Sequence, residues 1–210
     1  MTPYEQWKSS VWDNAHAECN ISALSGTCLD AHLNVLGVRQ LLLPDSRVLC
    51  IGVGTGGWVQ ECINRAGEVW ALDVSSVAGK SVGAASFVSD PQRLPSDHFD
   101  LAISHYVAVH MSDHDLEVQL REVIRSLAVD GIFAMHYKEP IAPEQIVDNR
   151  SGDPEEVLLA TQAGMLRRRS HLAEMVEWSG GEVVRIANEF PCEAQKMVEV
   201  AVHIKRRSPT

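Results

Sequence analysis

The sequence is poor in most features that would mark a specialised chain. It has no apolar run of the roughly twenty residues needed to cross a bilayer. Met1 to Ser10 is polar and lacks the apolar core of a signal peptide. A cytoplasmic chain with no membrane partner is therefore expected. The five cysteines, Cys19, Cys28, Cys50, Cys62 and Cys192, are odd in number and irregularly spaced. They form neither a paired CxxC metal site nor a disulfide framework, and read as buried free thiols. Basic residues are outnumbered, 18 against 28 acidic, for a formal net charge of −10, which argues against a nucleic-acid partner. Low-complexity stretches, internal repeats and an interdomain linker are also missing. What remains is 210 residues with 45% hydrophobic side chains, enough to bury one substantial core in one domain.

Within that domain, apolar runs alternate with helical periods. Residues 2–18, with Tyr4, Trp7 and Trp12, read as a helix. A second helix carries Leu29, Leu33, Leu36 and Leu41 and stops at Pro44. Strands are expected at residues 47–51, 69–74, 85–88, 99–104 and 131–136. The helices between them fall at about 57–64, 75–82 and 115–128. Residues 140–154 read as a loop and 155–178 as a helical region, broken near Gly164. Two final strands, 183–187 and 197–204, have no helix between them, with Pro191 in their connection. Strands alternating with helices demand a mostly parallel sheet covered on both faces, and the last two should pair as an antiparallel hairpin.

The strongest local signal is the stretch Val48-Leu49-Cys50-Ile51-Gly52-Val53-Gly54-Thr55-Gly56-Gly57. It is a buried strand ending in glycines that opens a helix. Glycine lets a ligand approach the backbone, and the helix start aims amides at it. The next strand ends at Asp73, where a carboxylate can accept from both hydroxyls of a ribose. Gly52, Gly54 and Gly57 satisfy the dinucleotide pattern, with Asp73 near the required offset. Gly52, Gly54 and Gly56 equally satisfy the G-x-G-x-G of methyltransferases. The turn alone leaves both open.

Three further segments follow in order. Ser89-Asp90-Pro91-Gln92-Arg93-Leu94-Pro95 resembles the D-x-x-x-L-P segment of class I S-adenosylmethionine-dependent methyltransferases. Residues 99–104, Phe-Asp-Leu-Ala-Ile-Ser, resemble their fourth strand, and Leu127 to Phe133 their turn into the fifth. The resemblance runs from Arg47 to His136 and points to the small-molecule branch of that family. It implies an α/β, Rossmann-like three-layer sandwich with a mostly parallel seven-stranded sheet and an antiparallel C-terminal hairpin. It also implies one domain over 1–210, with 1–44 as a helical lid or cap and 47–206 as the core. S-adenosylmethionine would be the cofactor and S-adenosylhomocysteine its product, with a small-molecule acceptor methylated on oxygen or nitrogen. By the same resemblance Gly52, Gly54 and Gly56 shape the cofactor loop, Asp73 with Val74 holds the ribose, Asp90 the adenine amine, and Pro91 and Ser104 lie beside the cofactor. The chain departs from the pattern at Cys50, where an acidic residue is usual, at Pro91, which has no N–H to donate, and at Asp130, where proline is usual. Rival readings are a nicotinamide-dependent oxidoreductase and an inactive binding module of the same fold.

Methyl transfer needs an aligned nucleophile, exclusion of water, and a base when the acceptor carries a proton. His105 follows the fourth strand and His136 ends the fifth, so the two are the candidate bases, His105 first. Tyr106 and Tyr137 are adjacent alternatives for orienting an acceptor. His110 and His114 flank a helix start and read as capping or surface residues. Ser104-His105-Tyr106 stands where metal-dependent relatives carry carboxylates, so no metal is expected. The run Arg167-Arg168-Arg169 reads as a solvated helix face or a contact for an anionic substrate group.

Overall fold

The computed structural model describes residues 29–141, 164–192 and 196–208, together with Ser10 and Asp13. The expected helix over 2–18, with Tyr4, Trp7 and Trp12, falls outside this set apart from those two residues, as do most of the 140–154 loop and residues 155–163. In chain order the elements are α1 (Leu29–Leu36), β1 (Arg47–Ile51), α2 (Gly57–Ile63), β2 (Glu68–Leu72), α3 (Ser76–Gly79), β3 (Ser86–Val88), β4 (Phe99–Ser104), α4 (Asp113–Ser126), β5 (Leu127–Pro140), α5 (Arg169–Trp178), β6 (Gly181–Cys192) and β7 (Met197–Arg206), with short 3-10 turns at Arg39–Leu41, Pro91–Arg93 and Ala108–His110.

Seven strands form one sheet in the order β3-β2-β1-β4-β5-β7-β6. β1 to β5 are mutually parallel, and β7 runs antiparallel between β5 and β6. This is the Rossmann-like architecture expected from the sequence. Side chains alternate across each strand, so the sheet separates two cores. Leu49, Ile51, Ala102, Phe133 and Met135 face α4 and α5, through Leu116, Leu120, Val123, Leu172 and Met175. Val48, Cys50, Leu101, Ile103 and Ala134 face α1 and α2, through Leu29, Leu33, Leu36, Trp58 and Val59. At about 1.5–3 kcal/mol for each large side chain buried, these two layers supply most of the driving force for the fold.

Order in this sheet reverses at β1: β2 and β3 lie to one side, β4 and β5 to the other. The crevice outside the carboxyl ends of β1 and β4 is where such sheets bind ligands. α1 closes one side of that region. Its buried stripe is Leu29, His32, Leu33 and Leu36, and its last turn is tied down by His203 Nε2 against the Leu36 carbonyl at 2.7 Å. Asn188 Nδ2 also donates to the carbonyls of Asn34 and Val35.

Several sequence expectations are corrected here. β5 begins at Leu127, directly after α4, and runs to Pro140 rather than from 131 to 136. Its early residues bulge against β4 between Phe99 and Leu101. Gly131 belongs to this bulge, because a Cβ there would lie 2.4 Å from the Phe99 carbonyl oxygen. Pro191 lies within β6, opposite Val198, rather than in a connection. Among the described residues β6 has β7 as its sole strand neighbour, and a proline is tolerated on such an edge strand. Gly164 to Arg168 is not helical, and Leu166 bridges Lys138 of β5.

Candidate active site at the carboxyl ends of the strands

The glycine turn leaves β1 at Gly52, whose N–H still donates to the Leu72 carbonyl at 2.9 Å. Gly52, Gly54 and Gly56 all have positive φ, at 68°, 55° and 80°. Gly52 faces Val107, and Gly56 faces the Ser81 carbonyl oxygen, so these two glycines are required by the protein's own packing. Gly57 differs, since nothing lies within 4 Å of a Cβ placed there. Asp73 follows β2 and is 8% exposed. Its carboxylate lies under the turn, accepting the Gly54 N–H at 3.3 Å and the Ser75 N–H at 2.9 Å. Val74 beside it is half-buried. Asp13 reaches the same end of the sheet, accepting from Ser75 Oγ at 2.7 Å and Ser76 Oγ at 3.2 Å. These bonds hold the Asp13 carboxyl below its usual range, Ser75 contributing most.

The segment after β3 lies nearby, because the Val88 carbonyl accepts the Asp73 N–H. Asp90 is exposed and caps the 3-10 turn through the Gln92 N–H at 2.9 Å. Pro91 takes the first position of that turn, where an N–H has no role within the helix. Ser104, at the end of β4, is buried, and its Oγ has no partner among the described residues. The open edge at Gly57, the Asp73 carboxylate and the unpaired Ser104 hydroxyl suit a ligand with a ribose and polar groups along the ends of β1, β2 and β4.

Cys50 does not supply the charge its position usually carries. It is fully buried beside Cys62, and burial pushes its thiol well above the usual range. It is a packing residue of the α1/α2 face.

His105 and His136 come together, their rings 5.1 Å apart and edge to face. A third imidazole joins them. His32 of α1 meets His105 at 2.8 Å between the two Nδ1 atoms and stacks on Trp58 at 5.0 Å. His136 is fully buried, and neither ring nitrogen has a hydrogen-bond partner among the described residues. Glu199 Oε2 is 3.6 Å from its Nε2, an electrostatic neighbour rather than a bonded one. Burial holds all three rings neutral. His105 is pushed down to about 3, helped by His32 and His136. His136 falls to about 4, with Glu199 opposing the shift, and His32 is lowered by burial alone.

Tyr106 covers the cluster. Its ring centroid lies 4.5 Å from each of His105 and His136, and its hydroxyl donates to Glu199 at 2.8 Å. The backbone there has φ 59°, a left-handed conformation uncommon outside glycine. Burial, then Glu199, raises its phenol to about 12. Tyr137 points to the opposite face of the sheet and donates to Glu139 at 2.7 Å, which removes it from the site. His110 lies in the 3-10 turn and His114 is exposed on α4. Among the described residues, no group of three or more His, Cys, Asp or Glu side chains is arranged to hold a metal.

The arginine run resolves into different roles. Arg167 is 2% exposed, neither solvated nor helical. Its Nε donates to Asp113 at 2.8 Å, and its terminal nitrogens donate to the carbonyls of Ala108 and Met111. His171 approaches the second Asp113 oxygen at 2.9 Å. Arg167 therefore braces the 3-10 turn that follows His105 and Tyr106. Arg169 pairs with Glu139 and Glu189. His32 is the residue sequence reasoning missed, and Arg167 was singled out only within a run read as a solvated face or an anion contact. His32 carried a faint signal, a polar residue inside a leucine stripe of helical period.

Residues 49–135 match the family model of a methyltransferase domain. Solved structures with the same fold include an S-adenosylmethionine-dependent methyltransferase from Mesorhizobium loti, 20% identical over 83% of this chain and 99% of that one, with a TM-score of 0.59. A 1,6-didemethyltoxoflavin N1-methyltransferase from Burkholderia thailandensis is 14% identical over 99% and 92% of the two chains, with a TM-score of 0.63. The [4+2]-cyclase SpnF is 16% identical over 84% and 80%, with a TM-score of 0.63. No curated protein matches the chain by sequence. At these identities the structural likeness is one of fold. Residues 49–135 are thus a methyltransferase domain, and the chain that carries them has the fold of the class I S-adenosylmethionine-dependent methyltransferases.

Proposed function

We propose that this protein transfers the methyl group of S-adenosylmethionine to a hydroxyl oxygen of a small molecule. The observation that carries this reading is the pairing, across one crevice, of a glycine turn seated on the Asp73 carboxylate with a buried cluster of neutral imidazoles. When bound, S-adenosylmethionine supplies a methyl on a sulfonium whose electron pair returns to sulfur as the bond breaks. Asp73 accepts from the ribose hydroxyls and Asp90 from the adenine amine. The Gly52–Gly57 turn leaves room for the nucleoside. Val74 and Ser104 line the same region, and Tyr106 shields the cluster from water. His105 Nε2 takes the proton that the hydroxyl loses as the new oxygen–carbon bond forms, and His136 is its alternate.

The neutral cluster favours oxygen over an aliphatic amine. Such an amine, with a pKa of about 10, is an ammonium without a lone pair at neutral pH. A weakly basic imidazole cannot strip that proton beforehand. A hydroxyl keeps its lone pairs and releases its proton only as it becomes an oxonium, which a weak base accepts. Bond order and charge balance: one methyl–sulfur bond is lost, one methyl–oxygen bond is gained, and one proton passes to imidazole.

The test is a transfer assay with the labelled methyl donor against metabolite pools, followed by mass spectrometry of the product. Label on an oxygen is expected in wild type, with turnover in His105→Gln lowered at least about hundredfold, the scale of a lost general base. Label on an aliphatic nitrogen would overturn the oxygen assignment. Binding of the donor with no transfer to any acceptor would favour a binding module or another reaction on this fold.

A further inference from the structure

His105 and His32 meet through their Nδ1 atoms at 2.8 Å, so one proton occupies that gap and one Nδ1 is an acceptor. A histidine base is commonly oriented by a carboxylate on its far nitrogen. Among the described residues, no carboxylate stands there for His105. The groups facing it are His32 from α1, His136 from β5 and the adjoining Tyr106. Glu199 of β7 is engaged by the Tyr106 hydroxyl, and Lys138 lies 5.7 Å over the Tyr106 ring. His32 occupies the orienting place. Its ring is held by the stack on Trp58, and its backbone by the buried stripe of Leu29, Leu33 and Leu36.

We propose that His32 is a positioning residue that accepts the Nδ1–H of His105, fixing the tautomer in which the buried His105 Nε2 is a bare lone pair. The opposite arrangement, with His32 as donor, would make His105 Nε2–H a hydrogen-bond donor and unfit it as a base. A neutral partner also differs from a carboxylate in consequence. It orients the ring without holding a proton on it, so the base stays unprotonated wherever the protein is folded. The role in proton removal and the direction of the bond rest on the methyl-transfer reading, whereas the Nδ1–Nδ1 contact itself does not.

The test uses the full chain with nitrogen-15 in its histidines, read by NMR at pH 7 with no ligand. The expected spectrum has His105 protonated on Nδ1 and bare on Nε2, with a nitrogen–nitrogen coupling between the two Nδ1 atoms. A proton on His105 Nε2, or no coupling, would overturn the proposal. His32→Asp should raise the pH at which His105 titrates by at least one unit, a tenfold gain in proton affinity. His32→Phe keeps an aromatic ring for Trp58 but accepts nothing, and should remove the fixed tautomer while thermal unfolding shows the fold intact. If neither variant changes the titration or the tautomer of His105, His32 is a core residue only and the proposal fails. The expected spectra in a chain that does not bind S-adenosylhomocysteine would support the tautomer and overturn the functional reading. Binding with the opposite tautomer would do the reverse.

Discussion

A methyl group placed on Gly52 would lie 2.1 Å from Val107 Cγ2, and one on Gly56 would lie 2.3 Å from the Ser81 carbonyl oxygen. Both residues also hold positive φ. Gly56→Ala should therefore cost roughly 2–4 kcal/mol, the sum of a left-handed penalty and an overpacked contact, measured by urea unfolding. Gly57→Ala is the complementary probe. Its Cβ would enter open space, so stability should change by less than about 0.5 kcal/mol. Calorimetry should nevertheless show weaker S-adenosylhomocysteine binding, because that space is where the ligand would sit; unchanged affinity would place the ligand elsewhere. The glycine pattern was legible because backbone conformation restricts residue type there. His105 was legible because it follows β4; His136 lies inside β5, next to the Met135 that pairs with the last residue of β4, rather than at the strand end expected for it. His32 was not legible, since it occupies one position of an otherwise leucine stripe, and whether that stripe lies beside the strand ends is decided by packing.

The segment from β4 to α4 depends on a side chain more than fifty residues away. Arg167 satisfies the carbonyls of Ala108 and Met111 and pairs with Asp113. Arg167→Met would strand a half-buried carboxylate and two carbonyls, at a cost of about 3–5 kcal/mol in urea unfolding. The turn beside Tyr106 should loosen with it, read as faster amide exchange at Val109 and His110. A cost below about 1 kcal/mol would mean that the brace is dispensable. The arginine run was misread for a physical reason: three adjacent cations resemble a solvated face, and only the chain path carries one of them into the core. Strand lengths were underread likewise. Ala128, Val129 and Asp130 break the alternation expected of β5 because they lie in the bulge between the Phe99 and Leu101 pairings. Where periodicity was unbroken, as in α4 with its Ser112 cap, element and position agree with the sequence to within two residues.

For the whole molecule, three neutral imidazoles in one cluster set the response to acid. His105 and His136 titrate near 3 and 4 when folded but near 6.5 when unfolded. Below pH 6.5 the unfolded chain thus binds more protons, and stability falls with falling pH. Each of these histidines can contribute up to about 1.4 kcal/mol per pH unit until its folded value is reached. The paired carboxylates add their own loss only lower, since Asp100, Asp113 and Glu139 are all held below ordinary values of 3.8 or 4.5. Urea unfolding at pH 7, 6 and 5 should show the decline, and His105→Gln should flatten it; equal slopes in the two chains would contradict a buried neutral His105. For the same reason no loss of kcat/KM from His105 is expected above about pH 4.

The most direct test of a nucleoside held between the glycine turn and Asp73 is calorimetric titration of S-adenosylhomocysteine, with NADH as control, into the wild-type chain and Asp73→Asn. One equivalent of S-adenosylhomocysteine should bind the wild type, and NADH should not. Loss of charge-assisted bonds worth about 1.5–3 kcal/mol should weaken Asp73→Asn by roughly tenfold to more than a hundredfold, with its fold intact. Binding of NADH alone, or S-adenosylhomocysteine affinity that ignores the substitution, would contradict the account.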